Sequence, residues 1–316
     1  MAEPEVLRVS YSSLNTLSSC ARKFELDKLY PRVEQPAEEF YAAAVGQALH
    51  AGYQEWLVSR SEESAAWEFT KAFPFELEYQ QTNDYRSYHA ALSTLDAMMA
   101  DFSINDYRLA TIIHPEGHEV PAIEVPFAIR FEGLSIPPCA RFPHGAVFEF
   151  IGFIDAIMQN VMTDMYRSLD IKTTRMRVGD LDAKFKFDTQ QVPYGIVIDH
   201  IARGAVDSFE VLYLNAYIDL LKPDIEFKPF LKTQADVQEW AFNRVLQFQQ
   251  IAKYATLDYF PRTEHGCLFF NKACRFIEPC QSRDRQAIMD WLTLGDTNFR
   301  VDNFQPWIVA TLEVEA

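Results

Sequence analysis

Two short stretches, Gly152-Phe153-Ile154-Asp155 and, one turn later, Leu169-Asp170-Ile171-Lys172-Thr173-Thr174, constrain this chain more than any other. Ala146 to Asn160 and Met165 to Thr174 are rich in Val, Ile and Phe and read as strands. The turn around Val161-Met162-Thr163-Asp164 makes them an antiparallel pair. Side chains alternate along a strand, so Asp170 and Lys172 share one face while Leu169 and Ile171 point into the core. Asp155 on the neighbouring strand can lie beside Asp170. Two carboxylates at one place repel, and the simplest remedy is a divalent cation. A lysine beside that cation can orient an attacking water or stabilise charge developing on a phosphate. The pair therefore points to metal-assisted phosphodiester hydrolysis. An isolated Asp-x-Lys is more often an exposed strand tripeptide with an internal ion pair, so the neighbouring motifs decide between the two.

The rest of the chain reads as α/β or α+β with a small mixed sheet flanked by helices. Residues 1–115 are mainly helical. A first helix capped by Ser12 or Ser13 runs toward Leu29 and stops at Tyr30-Pro31. A second begins near Glu38 and carries Leu49, Tyr53, Trp56 and Leu57 at helical spacing. Further helices cover 62–72 and 85–103. Val120 to Arg130 reads as a strand, Gln190 to Ala202 as a helix, Ser208 to Asn215 as a strand, and 234–256 as a long amphipathic helix. The expected organisation is a helical region 1–115 with Cys20 and His50, a core 116–260, and a cysteine-bearing segment 261–316, all in one integrated domain.

Several residues accompany the acids. His50 follows Gly46 by one helical turn, and a glycine there leaves room for a close approach. Glu124 lies in an Ile-Glu-Val strand and is a candidate third acid. Gln190 and Tyr194 are four apart, with Pro193 between them; a helix that begins at Gln190 conflicts with that proline. Alone, each of these is weak: a solvated strand face explains Glu124, and a satisfied surface or core histidine explains His50.

Taken in order, Ser10-x-Ser12-x-Leu14, Cys20, Gly46-x-x-x-His50, Glu124, Gly152-Phe-Ile-Asp155, Asp170-Ile-Lys172 and Gln190-x-x-x-Tyr194 resemble the PD-(D/E)XK nuclease superfamily. The resemblance is to its RecB-like branch, which includes CRISPR-associated adaptation nucleases, exonuclease V-type enzymes and many phage-encoded exonucleases. It runs from about residue 10 to 281 and implies a restriction-endonuclease-like core. It also implies that His50, Asp155, Asp170 and the backbone carbonyl of Ile171 bind Mg²⁺ or Mn²⁺. Lys172 would act on the nucleophilic water, Gln190 and Tyr194 would position the DNA strand, and Glu124 has a role that varies among relatives. The implied activity is a DNA exonuclease acting on single strands or ends in recombination, repair or replication.

Five cysteines without a secretory start argue for metal binding or buried thiols rather than a disulfide scaffold. Cys267, Cys274 and Cys280 are spaced Cys-x6-Cys-x5-Cys, and Cys20 lies far upstream. One N-terminal cysteine plus a C-terminal trio is similar to the cluster-binding members of the same branch, which implies a [4Fe–4S] cluster; four thiolates also suit Zn²⁺. Relatives more often have Cys-x2-Cys-x5-Cys. Cys139, beside Pro137-Pro138, fits no pattern.

Charge is the objection to DNA. With 29 basic and 45 acidic residues the net charge is −16, whereas phosphate contacts need clustered Lys and Arg. Binding, however, depends on the local field. From Lys172 to Lys186 the chain carries Lys172, Arg175, Arg177, Lys184 and Lys186 against Asp180 and Asp182. That stretch makes Arg175, Arg177, Lys184 and Lys186 the candidate DNA contacts, with salt-sensitive affinity. No Gly-rich phosphate loop is present, so unwinding would fall to a separate helicase or recombination protein. No apolar run approaches the ~18 residues of a membrane span. A cytoplasmic setting follows, in the host if the protein is phage-encoded. Two other readings stay open: a silent nuclease fold that binds DNA ends or a helicase, and a structural zinc protein.

Overall fold

The computed structural model describes residues 3–30, 41–78, 86–174, 185–186, 188–202, 208–219, 222–263, 267–269, 272–274, 276–282, 284–293 and 304–313. The described strands that matter here are β1 (Glu5–Ser10), β2 (Tyr107–Leu109), β3 (Thr111–Ile113), β4 (Glu119–Pro121), β5 (Ile123–Ile136), β6 (Ala146–Asn160), β7 (Tyr166–Thr174), β8 (Ser208–Tyr217), β9 (Asp224–Thr233) and, near the C-terminus, Ile308–Glu313. The helices include α1 (Tyr11–Ser19), α2 (Ala21–Phe24), α3 (Tyr41–Ser59), α4 (Glu62–Ala72), α5 (Phe75–Glu78), α6 (Tyr88–Ala100), α7 (Val192–Ala202) and α8 (Gln234–Thr256). The class is mixed α/β, with a large mixed sheet flanked by helices. No described helix is long and apolar enough to cross a membrane.

The chain divides into two compact units assembled from non-contiguous stretches. One comprises 1–37, 127–152 and 241–316; the other comprises 38–126 and 153–240.

The second unit holds the acids. In it β6 and β7 pair antiparallel through Ala156–Leu169 and Ile157–Ser168, as the turn at 161–164 predicts. β7 then pairs parallel with β8, setting Asp170 opposite Tyr213 and Lys172 opposite Asn215, and β8 pairs antiparallel with β9. β7 therefore has a strand on either side. Its Leu169 and Ile171 are fully buried in a cluster with Val45, Leu49, Tyr53 and Trp56 of α3 and Leu212 and Leu214 of β8. Fully burying each such side chain contributes about 1.5–3 kcal/mol. The alternation read from the sequence holds on this face. The opposite face is not solvent, however: Asp170 is only 1 % exposed. It is covered from the side of α7, whose Val192, Tyr194 and Val197 are buried.

Helix α7 begins at Val192 and not at Gln190, which resolves the conflict with Pro193. The proline lies in the first helical turn, where its missing N–H leaves no intrahelical bond unmade.

In the first unit, β1 runs parallel to the start of β6, from Glu5–Ala146 to Ser10–Ile151, and Ile308–Glu313 runs parallel to β5. Buried Glu149 accepts from Arg8 Nε at 3.2 Å and from an Arg130 guanidinium nitrogen at 2.6 Å, so its charge is compensated on both sides. The expected single N-terminal helix is broken. Ser10 caps α1, Cys20 is extended at φ −162° and ψ 109°, and a short α2 followed by a π-helical turn over Glu25–Leu29 completes the stretch.

Candidate active site

Three elements of the second unit converge on one cleft of about 610 Å³, lined by Gly46, Gln47, His50 and Gln54 of α3, Arg86, Glu124, and Ile171 to Thr174 of β7. Gly46, His50 and Gln54 recur every four residues and so share a helix face. A Cβ at Gly46 would lie 2.9 Å from Thr173 Oγ1, so glycine is what lets α3 approach β7 at this point.

One pairing step beyond Ala156–Leu169 sets Asp155 against Asp170. Asp155 Oδ2 accepts from the backbone N–H of Ile171 at 2.8 Å and lies 3.9 Å from His50 Nδ1. Lys172 Nζ lies 3.0 and 2.8 Å from the two carboxylate oxygens of Asp170. Glu124 has a left-handed backbone at φ 48° and accepts from the Gln54 side-chain amide. A non-glycine residue in that region costs about 1–3 kcal/mol, and such strain collects at functional sites.

The electrostatics follow from burial. Burial and then the charge of Asp170 push Asp155 up to about 7. Burial likewise raises Asp170, against the opposing pull of Lys172. Burial would lower Lys172, but Asp170, Asp155 and Asp188 outweigh it and hold the ammonium above its ordinary value. Burial, helped by Lys172, lowers His50 to about 4, so its imidazole is neutral and able to ligate. Burial raises the Tyr194 phenol well above its usual value, and the neighbouring charges of Asp170 and Asp155 add to the shift.

His50, Glu124 and Asp155 offer ligand atoms within 4.8 Å of one another. Together with buried Asp170, this set of nitrogen and oxygen donors fits a hard divalent cation, because two carboxylates held out of water need a positive charge between them.

Part of the expected constellation lines the cleft, namely His50, Glu124, Ile171 and Lys172. Asp155 and Asp170 adjoin it through the Ile171 N–H and the Lys172 ammonium, and Gln190 hydrogen-bonds the Tyr194 side chain. Lys186 is exposed, whereas Arg175, Arg177 and Lys184 lie outside the described residues. Sequence reasoning missed Gln191, which is fully buried beside Asp170. It also missed Lys232, whose Nζ donates to the carbonyls of Phe185, Lys186 and Asp188 at 3.2, 3.0 and 2.9 Å and pins the segment leading to Gln190. Gln54 was visible as the next member of the Gly46–His50 face; Lys232 gave no sequence signal.

In the first unit, Cys20, Cys267, Cys274 and Cys280 all line one pocket of about 110 Å³ with Lys23, Arg262 and Phe276. Burial raises Cys280, against the opposing pull of Arg22 and Arg262, and the nearby Cys20 and Cys267 add to the rise. Arg22 links this region by donating to Ser282 O at 2.9 Å, while its backbone N–H bonds Pro261 O at 3.0 Å.

A mixed sheet that sets buried Asp170 and half-buried Asp155 against Lys172 and a helical histidine at a cleft is suited to metal-assisted phosphodiester hydrolysis. The comparison with protein families agrees: the PD-(D/E)XK nuclease superfamily matches residues 8–281, and the chain belongs to that superfamily. Among solved structures it is similar to a proposed exonuclease from Eubacterium rectale, at 13% identity and a TM-score of 0.41, covering 92% of this chain and 94% of that one. It is also similar to the protein SSO0001, at 13% identity and a TM-score of 0.25, covering 68% and 82%. No curated protein matches the sequence.

Proposed function

We propose that this nuclease is a DNA exonuclease that depends on Mg²⁺ or Mn²⁺ and acts on single strands or free ends. The observation that carries the reading is that Lys172 and His50 line one cleft, with Asp170 held 2.8 Å from the Lys172 ammonium and Asp155 3.9 Å from His50. His50, Asp155, Asp170 and the Ile171 carbonyl would hold the cation, with Glu124 as a further acid. When bound, the cation polarises the phosphodiester and eases deprotonation of the attacking water.

The side chains divide the remaining work. Lys172, held as an ammonium by Asp170, donates a hydrogen bond and is not a base; it orients the water and offsets charge building on the phosphate. Asp170 fixes that ammonium in place. Gln190 and Tyr194, bonded to each other, support the site from the start of α7. Tyr194 keeps its proton at physiological pH, so it acts as a donor. Lys186 and the basic residues Arg175, Arg177 and Lys184 are the proposed phosphate contacts, with a separate helicase supplying unwinding in recombination or repair.

We also propose that Cys20, Cys267, Cys274 and Cys280 bind a [4Fe–4S] cluster, with Zn²⁺ as the alternative occupant. Their common pocket and the adjacent Lys23 and Arg262, which would offset thiolate charge, support this reading.

The test is cleavage of end-labelled single- and double-stranded DNA by anaerobically purified protein, with and without Mn²⁺. Mn²⁺-dependent shortening from ends is expected. Full activity in a folded Asp155→Ala/Lys172→Ala protein would refute the site.

A further inference from the structure

A second group of possible metal ligands lies on the β3–β4 hairpin, in the sequence His114-Pro115-Glu116-Gly117-His118. β3 and β4 pair through Thr111–Pro121, Ile112–Val120 and Ile113–Glu119. The next pair outward is the two histidines, where His114 N–H donates to His118 O at 2.8 Å. Gly117 N–H donates to His114 O at 2.8 Å, and Gly117 adopts φ 88°. This is a type I turn followed by a left-handed bulge residue, with proline at the position that favours it and glycine where the positive φ demands it. The sequence therefore fixes the turn before any ligand arrives.

That turn places the two imidazoles side by side, with ring centroids 4.7 Å apart and planes inclined by 31°. Glu116, at the tip, brings Oε2 to 3.8 Å from His114 Nδ1. One atom from each of the three residues lies within 4.8 Å of the others. Ligands of a tetrahedral Zn²⁺ stand about 3.4 Å apart, given bonds of about 2.0–2.1 Å. The gap closes by side-chain rotation, since Glu116 and His118 are exposed. Metal at His114 Nδ1 would replace the 3.2 Å bond that this atom now accepts from Glu116 N–H.

We propose that His114, Glu116 and His118 form a metal site for Zn²⁺ or a neighbouring late first-row divalent ion, with water completing the shell. Two imidazoles and one carboxylate favour such ions, whereas Mg²⁺ prefers oxygen donors throughout. The site is thus selective for a different metal from the one the nuclease cleft would take.

The experiment titrates Zn²⁺ alone into chelator-treated full-length protein against a chromophoric competitor, counting bound equivalents. The cleft and the cysteines are identical in wild type and variants, so the difference between them isolates the hairpin. His114→Ala/His118→Ala is expected to lose one equivalent, and Glu116→Gln to weaken that equivalent at least tenfold, with the Mg²⁺-supported cleavage rate unchanged. Equal stoichiometry and affinity in wild type and the double variant would overturn the proposal. If the double variant fails to fold, His118→Ala alone, at an exposed position, serves instead. Electron paramagnetic resonance of bound Cu²⁺ then decides: coupling to two nitrogens in wild type that drops to one in His118→Ala supports the site, and an unchanged spectrum sinks it.

Discussion

Gly46 and Thr173 approach so closely that a Cβ on the first would lie 2.9 Å from Oγ1 of the second. Thr173 Oγ1 sits on a short side chain at the rim of the cleft and cannot swing far aside. Gly46→Ala gains about 0.8–1 kcal/mol of helix propensity, which offsets the steric cost, so thermal stability should hardly move. Activity should fall several-fold, because α3 and His50 are pushed off β7. Adding Thr173→Ala removes the obstructing atom and should restore the rate. A double variant no better than Gly46→Ala would show that the contact does not set the cleft.

Lys172 is the near counter-charge of a carboxylate that is 1 % exposed. Removing one partner of a buried pair costs about 3–5 kcal/mol. Lys172→Ala should therefore abolish cleavage and also lower the unfolding free energy by roughly that amount. Mn²⁺ should recover part of the stability and none of the activity. A variant as stable as wild type in urea melts would contradict the pairing.

Asp155 gives a pH dependence with a definite sign. Its folded value is about 7 against an ordinary 3.8, so between those values the folded chain keeps a proton that the unfolded chain has released. Stability from this group is thus present at low pH and lost as pH rises toward 7. In metal-free protein the slope should flatten in Asp155→Asn. Because cation and proton compete, Mn²⁺ should raise Tm more at pH 8 than at pH 5. Thermal melts across that range decide it, and a pH-independent Mn²⁺ shift would count against it.

Lys232 holds three backbone carbonyls while being 4 % exposed. Lys232→Met leaves them without their donor, at a cost of about 1–3 kcal/mol for each fully buried one. The segment before Gln190 should loosen, raising KM for DNA more than it lowers kcat. Equal effects on both would assign Lys232 a purely global role.

Cys274→Ser should bleach a brown protein purified without air and lower its melting temperature, as expected where metal occupancy and folding are linked. A colourless wild type with an unchanged melting temperature in the variant would rule out the cluster.

Much of this was legible in the residues, for reasons tied to periodicity. The helices over 62–72 and 234–256 and the strand Ala146–Asn160 coincide with the reading of their patterns, because the helices are long and amphipathic and the strand is a long run rich in Val, Ile and Phe. β1, β9 and Ile308–Glu313 went unread: the first and last are six residues long, and Pro229 interrupts the alternation of β9. The acids and lysine could be named from a two-residue period, but the burial of Asp170 could not. It depends on β8 and α7, which come later in the chain and whose packing no local pattern encodes. The same holds for Lys232 and Gln191, and for the left-handed backbone of Glu124, which lies in what reads as plain strand.

The cysteine-bearing unit is made of residues 1–37, 127–152 and 241–316, so it has a timetable. At about 5–20 residues per second, a ribosome needs roughly 15–50 s to travel from Cys20 to Cys280. Throughout that interval β1 and Cys20 have been synthesised, while the segment bearing the other three thiols has not emerged. A chain arrested before residue 241 holds every residue of the candidate active site but lacks more than half of its companion unit. Nascent and truncated chains thus carry every candidate nuclease residue before the cysteine-bearing unit can be completed, and the four thiols can share a metal only once the C-terminal segment has emerged.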